Sequence, residues 1–346
     1  MFYIRIDVNN HIGMGHAMRC LSIADALKQL GEEIIFITAD DNGKALIEDR
    51  GYEIACLNQR WDEPEQELEK LVSYVQINSG KCILVDKYEV TERYLKELQK
   101  VIKVVYIDDL NKFIYPCDAL ISYANYYEKF QYEKQYEKDV KLLLGPRYVP
   151  LRKEYSNRKE KKITDRGNHV VFLSGGTDNY GVTLAFLKEL NKQQVLGTYQ
   201  IRIICGAFHK DIEVIQKMAK NHENIEVLVQ VKDMWNYMEW ADIAISAGGT
   251  TLYELSACGT PFISYSIADN QLDNVRCFEK ENHIYYAGDM RENLQQNMEK
   301  LVSKLNFLRE DKGQREMISK SLQQLVDGNG SLCIAKALCD WIEQRE

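Results

Sequence analysis

His16 stands in the stretch NNHIGMGHAMRC (9–20), directly behind Gly15. An imidazole is neutral and basic near neutral pH, with an ordinary pKa of ~6.5, so a histidine fixed at a strand end can take a proton from water or a hydroxyl. Its plainer roles are helix capping and packing. Asp7, just before the turn, could orient that imidazole, bind a sugar or cap the loop. Arg19, one helical turn beyond His16, could touch substrate or pair with an acid. His11 reads as an exposed loop residue, while His169, His209, His222 and His283 flank elements and read as structural.

Three glycine turns lead from strands into helices: NNHIGMGH (9–16), SGGTDNYG (174–181) and SAGGTTLYE (246–254). A helix start offers amides without intrahelical partners and a positive dipole end, and glycine lets a phosphate approach that backbone. One such turn also serves as a simple bend. The set of Gly15, Gly175, Gly176, Gly248, Gly249, Thr250 and Thr251, divided between two halves of the chain, points to a bound diphosphate. Glu254 lies one turn into the third helix, where a carboxylate can accept both hydroxyls of a ribose; otherwise it is a solvated helix residue. Asn270 and Gln271, in DNQLDN (269–274), suit sugar hydroxyls. A dinucleotide fingerprint beginning at Gly13 would need glycine at position 18, where Met18 stands, so Asp40 alone leaves NAD as a secondary reading.

The elements that position these residues follow from periodicity. Short β-branched runs recur at 2–8, 33–38, 52–57, 81–86, 103–108, 118–122 and 141–145, and again at 169–178, 200–206, 224–230, 241–246, 261–266 and 283–288. Their near-continuous apolar character is that of parallel strands buried on both faces. Amphipathic spacers such as 16–31 and 90–101 complete βα units, with Gly31 placed as a C-cap glycine. The expected fold is α/β, two doubly wound Rossmann-like domains facing a cleft. The domains are 1–151 and 169–330, joined by a mixed-charge linker at 152–168, and an amphipathic helix at 331–346 packs back across the hinge. Ligands in such sheets bind beyond the carboxyl ends of the strands.

A length of 346 residues suits two domains at roughly 150 residues each. The net charge of −8 disfavours nucleic acid. No apolar run reaches the ~20 residues of a membrane span, and no signal-peptide pattern opens the chain, which together suggest a cytoplasmic protein. The nine cysteines form no CxxC pair and, with the six histidines, no metal-ligand spacing, so neither metal nor cofactor is expected. The oligomeric state stays open.

GGTTLYELSACGTPFI, followed by DNQ, resembles the nucleotide-sugar site of GT-B enzymes, notably the MurG-type GlcNAc transferases. The N-terminal block RIDVNNHIGMGHAMRCLSIADAL, with LVDKYEV (84–90), LLLGPRYVPLRKEY (142–155) and SGGTD (174–178), resembles a narrower group. That group is the UDP-sugar hydrolases of pseudaminic acid biosynthesis and their spore-coat polysaccharide relatives. The resemblance implies a metal-independent hydrolysis of a UDP-linked deoxy-diacetamido sugar to UDP and free sugar, with His16 as the base. It implies Gly175, Gly176 and Gly248–Thr251 around the diphosphate, Glu254 on the ribose, and Tyr88, Asn270 and Gln271 near the sugar. Lys87 departs from a block that often reads Asp-His-Tyr in relatives, which bears on the sugar recognised. A GT-B glycosyltransferase using the same base on an acceptor hydroxyl is the first alternative, and a non-catalytic nucleotide-sugar-binding protein the second.

Overall fold

Among the described residues thirteen strands form where the apolar runs predict them. They are β1 Phe2–Ile6, β2 Ile34–Thr38, β3 Glu53–Cys56, β4 Cys82–Asp86, β5 Lys103–Ile107, β6 Ala119–Ser122 and β7 Lys141–Leu144, then β8 His169–Leu173, β9 Gln200–Cys205, β10 Ile225–Val229, β11 Ile243–Ala247, β12 Phe262–Ser266 and β13 Tyr285–Asp289. The computed structural model describes residues 1–9, 12, 14–206 and 209–344; His11 and Gly13 lie outside the described residues. The chain divides into two compact units, Met1–Lys153 with Gly328–Glu346, and Glu154–Asp327.

In the first unit the sheet order is β3-β2-β1-β4-β5-β6-β7, and every pairing is parallel. The order reverses between β1 and β4, and a doubly wound sheet opens its ligand crevice at the carboxyl ends of the strands at such a reversal. The register pairs Ile6 with Asp86, which brings the ends of β1 and β4 level. All five residues of each of these strands are buried, as a sheet covered on both faces requires. The helix Gly15–Gln29 follows β1 and buries His16, Arg19, Cys20, Ala24 and Leu27, and Gly31 beyond its end takes the left-handed conformation (φ +88°) of a helix-terminating glycine. The C-terminal helix Gly330–Glu343 packs on it within the same unit and buries Ile334, Leu338 and Ile342.

The second unit repeats the plan with the order β10-β9-β8-β11-β12-β13, again parallel throughout. Its reversal lies between β8 and β11, so the turns after Leu173 and Ala247 share that crevice. The stretch at 152–168, expected as a solvated linker, is tied to this unit from Glu154 onward. Arg315 donates to the Thr164 carbonyl at 2.7 Å, Thr164 to Asp242 at 2.7 Å, and the Gly167 amide to Arg309 O at 2.9 Å. Its mixed charges pair with neighbours that periodicity does not reveal. Among the described residues no helix is long and apolar enough to cross a membrane.

Candidate active site

At the β1/β4 reversal a cavity of about 150 Å³ opens, lined by Asp7, Ile12, His16, Trp61, Asp86, Lys87, Tyr88 and Glu89. His16 enters it from the second position of its helix and is 8% exposed. Its Nδ1 lies 2.6 Å from Asp86 Oδ1. Two lone pairs would repel at that distance, so Nδ1 carries the proton and donates it to the carboxylate. Nε2 is thereby left with its lone pair, and no described residue bonds to it. The ring is also braced edge-on by Tyr88, with centroids 4.5 Å apart and planes at 80°.

Asp86 is held in turn by Arg19, which donates from Nε to Oδ2 at 2.6 Å and from Nη2 to Oδ1 at 2.5 Å. Arg19 Nη1 continues to Asp109 Oδ2 at 2.7 Å and the Tyr123 hydroxyl at 2.6 Å. The Tyr88 hydroxyl donates to the same Asp109 oxygen at 2.8 Å. Burial by itself pushes the Asp86 carboxyl up, but the Arg19 charge, His16 and their hydrogen bonds outweigh it and hold the group well below the usual carboxylate range. Burial and the neighbouring Asp109 push the Tyr88 phenol far up, so it remains protonated. The arrangement is a buried carboxylate that fixes one tautomer of a histidine and leaves that histidine's outer nitrogen basic.

The alternatives open for Asp7 and Arg19 narrow here. Asp86, not Asp7, orients His16. Asp7 already accepts from Arg5 Nη1 and Nη2 (2.7 and 2.9 Å), the Ala39 amide (2.8 Å) and Lys87 Nζ (2.6 Å), so both its oxygens are filled and it has little left for a sugar. Arg19 takes the acid-pairing alternative, and through Asp86 it positions His16. Gly15 is exposed at the helix start, with open space where a Cβ would sit.

In the second unit Gly175 (φ +73°) and Gly176 are exposed, and the amides of 175–177 have no partner among the described residues. Gly175 O is pinned by the Gly206 amide at 3.0 Å. The helix behind this turn, Val182–Lys192, is already capped: Asp178 accepts from the Val182 and Thr183 amides, both at 2.9 Å. The expectation of free helix-start amides there is therefore corrected to the turn amides. At 246–254 the Gly248 and Gly249 amides bond to Tyr265 O (2.9 Å) and Ala247 O (2.8 Å). The helix Thr251–Ala257 follows with Thr250 as its N-cap, and the amides of Thr250 and Thr251 are unbonded among the described residues. Thus Gly248 and Gly249 serve shape, and the two threonines carry the available donors. A Cβ on Gly248 would lie 2.3 Å from Val275 Cγ1, so only glycine fits this turn. Glu254 is half-buried in the first turn of the helix. Asn270 is exposed, and Gln271 uses its Oε1 to accept from the Ile267 amide at 2.9 Å, which leaves its NH₂ for other partners.

With this geometry in place, comparison with known proteins bears on the fold. Residues 170–327 match the family described as glycosyltransferase family 28 C-terminal domain. The whole chain superposes on the crystal structure of MurG from Acinetobacter baumannii with a TM-score of 0.69 at 11% identity, over 98% of this chain and all of that one. The fold is GT-B. The UDP-GlcNAc 2-epimerase of Neisseria meningitidis, solved with UDP-GlcNAc bound, superposes with a TM-score of 0.68 at 12% identity, over 98% of this chain and 100% of that one. The spore coat polysaccharide biosynthesis protein SpsG of Bacillus subtilis is 22% identical over 341 residues, 96% of each chain. The chain spans only about half the length of two other curated relatives that it matches, 54% and 58%.

Sequence reasoning missed Asp86, Asp109, Tyr123, Trp61 and Asn274. The first two do carry a signal: each follows an apolar run at the carboxyl end of a strand, where a doubly wound sheet puts its chemistry. Asn274 bridges the Gly248 carbonyl (3.0 Å) and the Tyr253 hydroxyl (2.8 Å), and so locks the second-unit turn. Trp61 and Tyr123 lie in irregular segments, and no pattern marks them.

Proposed function

We propose that the chain hydrolyses a UDP-linked deoxy-diacetamido sugar, releasing UDP and the free sugar without a metal. The observation that carries this reading is the His16–Asp86 pair, which sets a basic Nε2 in a cavity-lining position. In this reading Nε2 takes a proton from water as the oxygen attacks the anomeric carbon. The carbon–oxygen bond to the diphosphate breaks, and its electrons leave on UDP. The imidazolium that forms is stabilised by the Asp86 carboxylate. UDP is a weak base and needs charge stabilisation more than a proton, which the amides of Thr250, Thr251 and 175–177 can give. Glu254 accepts the ribose hydroxyls, and the NH₂ of Gln271 and the side chain of Asn270 serve the sugar. One base is then enough, unlike the paired carboxylates of most glycosidases.

The family 28 match and the GT-B fold favour a second reading, in which the same base deprotonates an acceptor hydroxyl. Incubating the protein with a UDP-diacetamido sugar and no acceptor separates the two. Equal amounts of UDP and free sugar support hydrolysis, UDP appearing only with an added acceptor supports transfer, and UDP binding with no turnover in either case supports a binding protein.

A further inference from the structure

Lys87 is 3% exposed, lines the same cavity as His16, and has no part in the chemistry just described. Its Nζ donates to Asp7 Oδ2 at 2.6 Å and to the Trp61 carbonyl. An ammonium has three N–H donors and no acceptor, and the third has no partner among the described residues. A buried charged donor left unpaired is costly, so this position favours a ligand that brings an acceptor. Asp7 cannot be the group that reads the ligand, because four donors already fill it.

We propose that Lys87 selects the sugar by donating its third N–H to a neutral acceptor, the carbonyl oxygen of an acylamino substituent. This rests on the reading of the cavity as a sugar site. Charge decides between a carbonyl and a carboxylate. Arg5 and Lys87 are balanced by Asp7 and Glu67, while Arg19 faces both Asp86 and Asp109, which leaves one negative charge in excess. Glu89 at the wall adds another acid. A uronate would enter net negative surroundings, whereas an amide carbonyl would not. A hydroxyl is the weaker match, because it brings a donor of its own that needs a partner.

The test follows the Lys87 ammonium signal in ¹⁵N-labelled protein during separate titrations with free N-acetylglucosamine, glucose and glucuronate. The charge-neutral pair Lys87→Met with Asp7→Asn assigns the signal, and Lys87→Arg assigns it if that pair does not fold. N-acetylglucosamine is expected to move the signal and to bind at least about tenfold more tightly than glucose, a preference the double variant loses. A signal that N-acetylglucosamine leaves unmoved, an equal response to glucose, or a stronger response to glucuronate overturns the proposal. UDP alone, followed at the Thr250 and Thr251 amides, reports on the nucleotide separately, so failure there counts against the UDP-sugar reading and leaves the Lys87 result standing.

Discussion

Replacing Asp86 by Asn probes both the chemistry and the fold of the first unit. The asparagine keeps one oxygen for Arg19 but places an N–H donor or a weaker acceptor where His16 Nδ1 now donates. With the N–H on that side, the imidazole must turn its lone pair to Nδ1 and its proton to Nε2, which removes the base. A histidine held in the wrong tautomer loses about 10⁴-fold in turnover. Breaking a buried ion pair costs about 3–5 kcal/mol, and the lower end applies because Asp109 still faces Arg19. The pH dependence carries a definite sign. Because the folded-state carboxyl lies below its ordinary value of ~3.9, its stabilisation is fully present above about pH 4 and is lost as pH falls through the folded-state value. Urea denaturation from neutral to acid pH should therefore show a steep acid loss in the parent protein and a shallower one in Asp86→Asn. UDP release measures the turnover. A variant that keeps more than about a tenth of the parent rate, or loses less than about 1 kcal/mol, would refute the tautomer and ion-pair reasoning together.

Three further outcomes follow from the same account. His16→Ala should abolish turnover and leave UDP affinity nearly unchanged by calorimetry, since the proposed nucleotide donors belong to the second unit. Glu254→Ala should weaken UDP by about 1.5–3 kcal/mol, the range for hydrogen bonds to a charged group, and an unchanged affinity would return Glu254 to a solvated helix position. Gly248→Ala should lower unfolding stability by about 1–3 kcal/mol, because its Cβ meets Val275 Cγ1 at 2.3 Å, whereas Gly249→Ala, where the space is open, should fold normally in the same denaturation assay.

The strands were legible because buried parallel strands leave an unbroken apolar signature: Cys82–Asp86 and Phe262–Ser266 begin within one residue of the runs that predict them and end with them. The run at 169–178 ends earlier, at Leu173, because its glycines and Thr177 belong to the turn. The histidine and the glycine turns were legible as residue types at strand ends. Their partners were not, since a hydrogen bond such as His16–Asp86 spans 70 positions and leaves no local pattern. The distribution of amides was hidden for a related reason. That Asp178 caps one helix, and that Gly248 and Gly249 have already bonded their amides, depends on backbone angles and on strands distant in sequence. The role of Lys87 depends equally on Asp7 and Trp61, which flank it only in the folded sheet.

The central claim is that His16 activates water against carbon, and the most direct measurement is the fate of labelled oxygen. With a UDP-diacetamido sugar in ¹⁸O-water, attack at the anomeric carbon puts the label on C1 of the free sugar and leaves UDP unlabelled, with inverted configuration. Attack at phosphorus would call for a metal or an Arg/Lys clamp on the transferring group, and the turns at 174–178 and 246–251 contain no Lys or Arg. Label found in UDP would contradict the account.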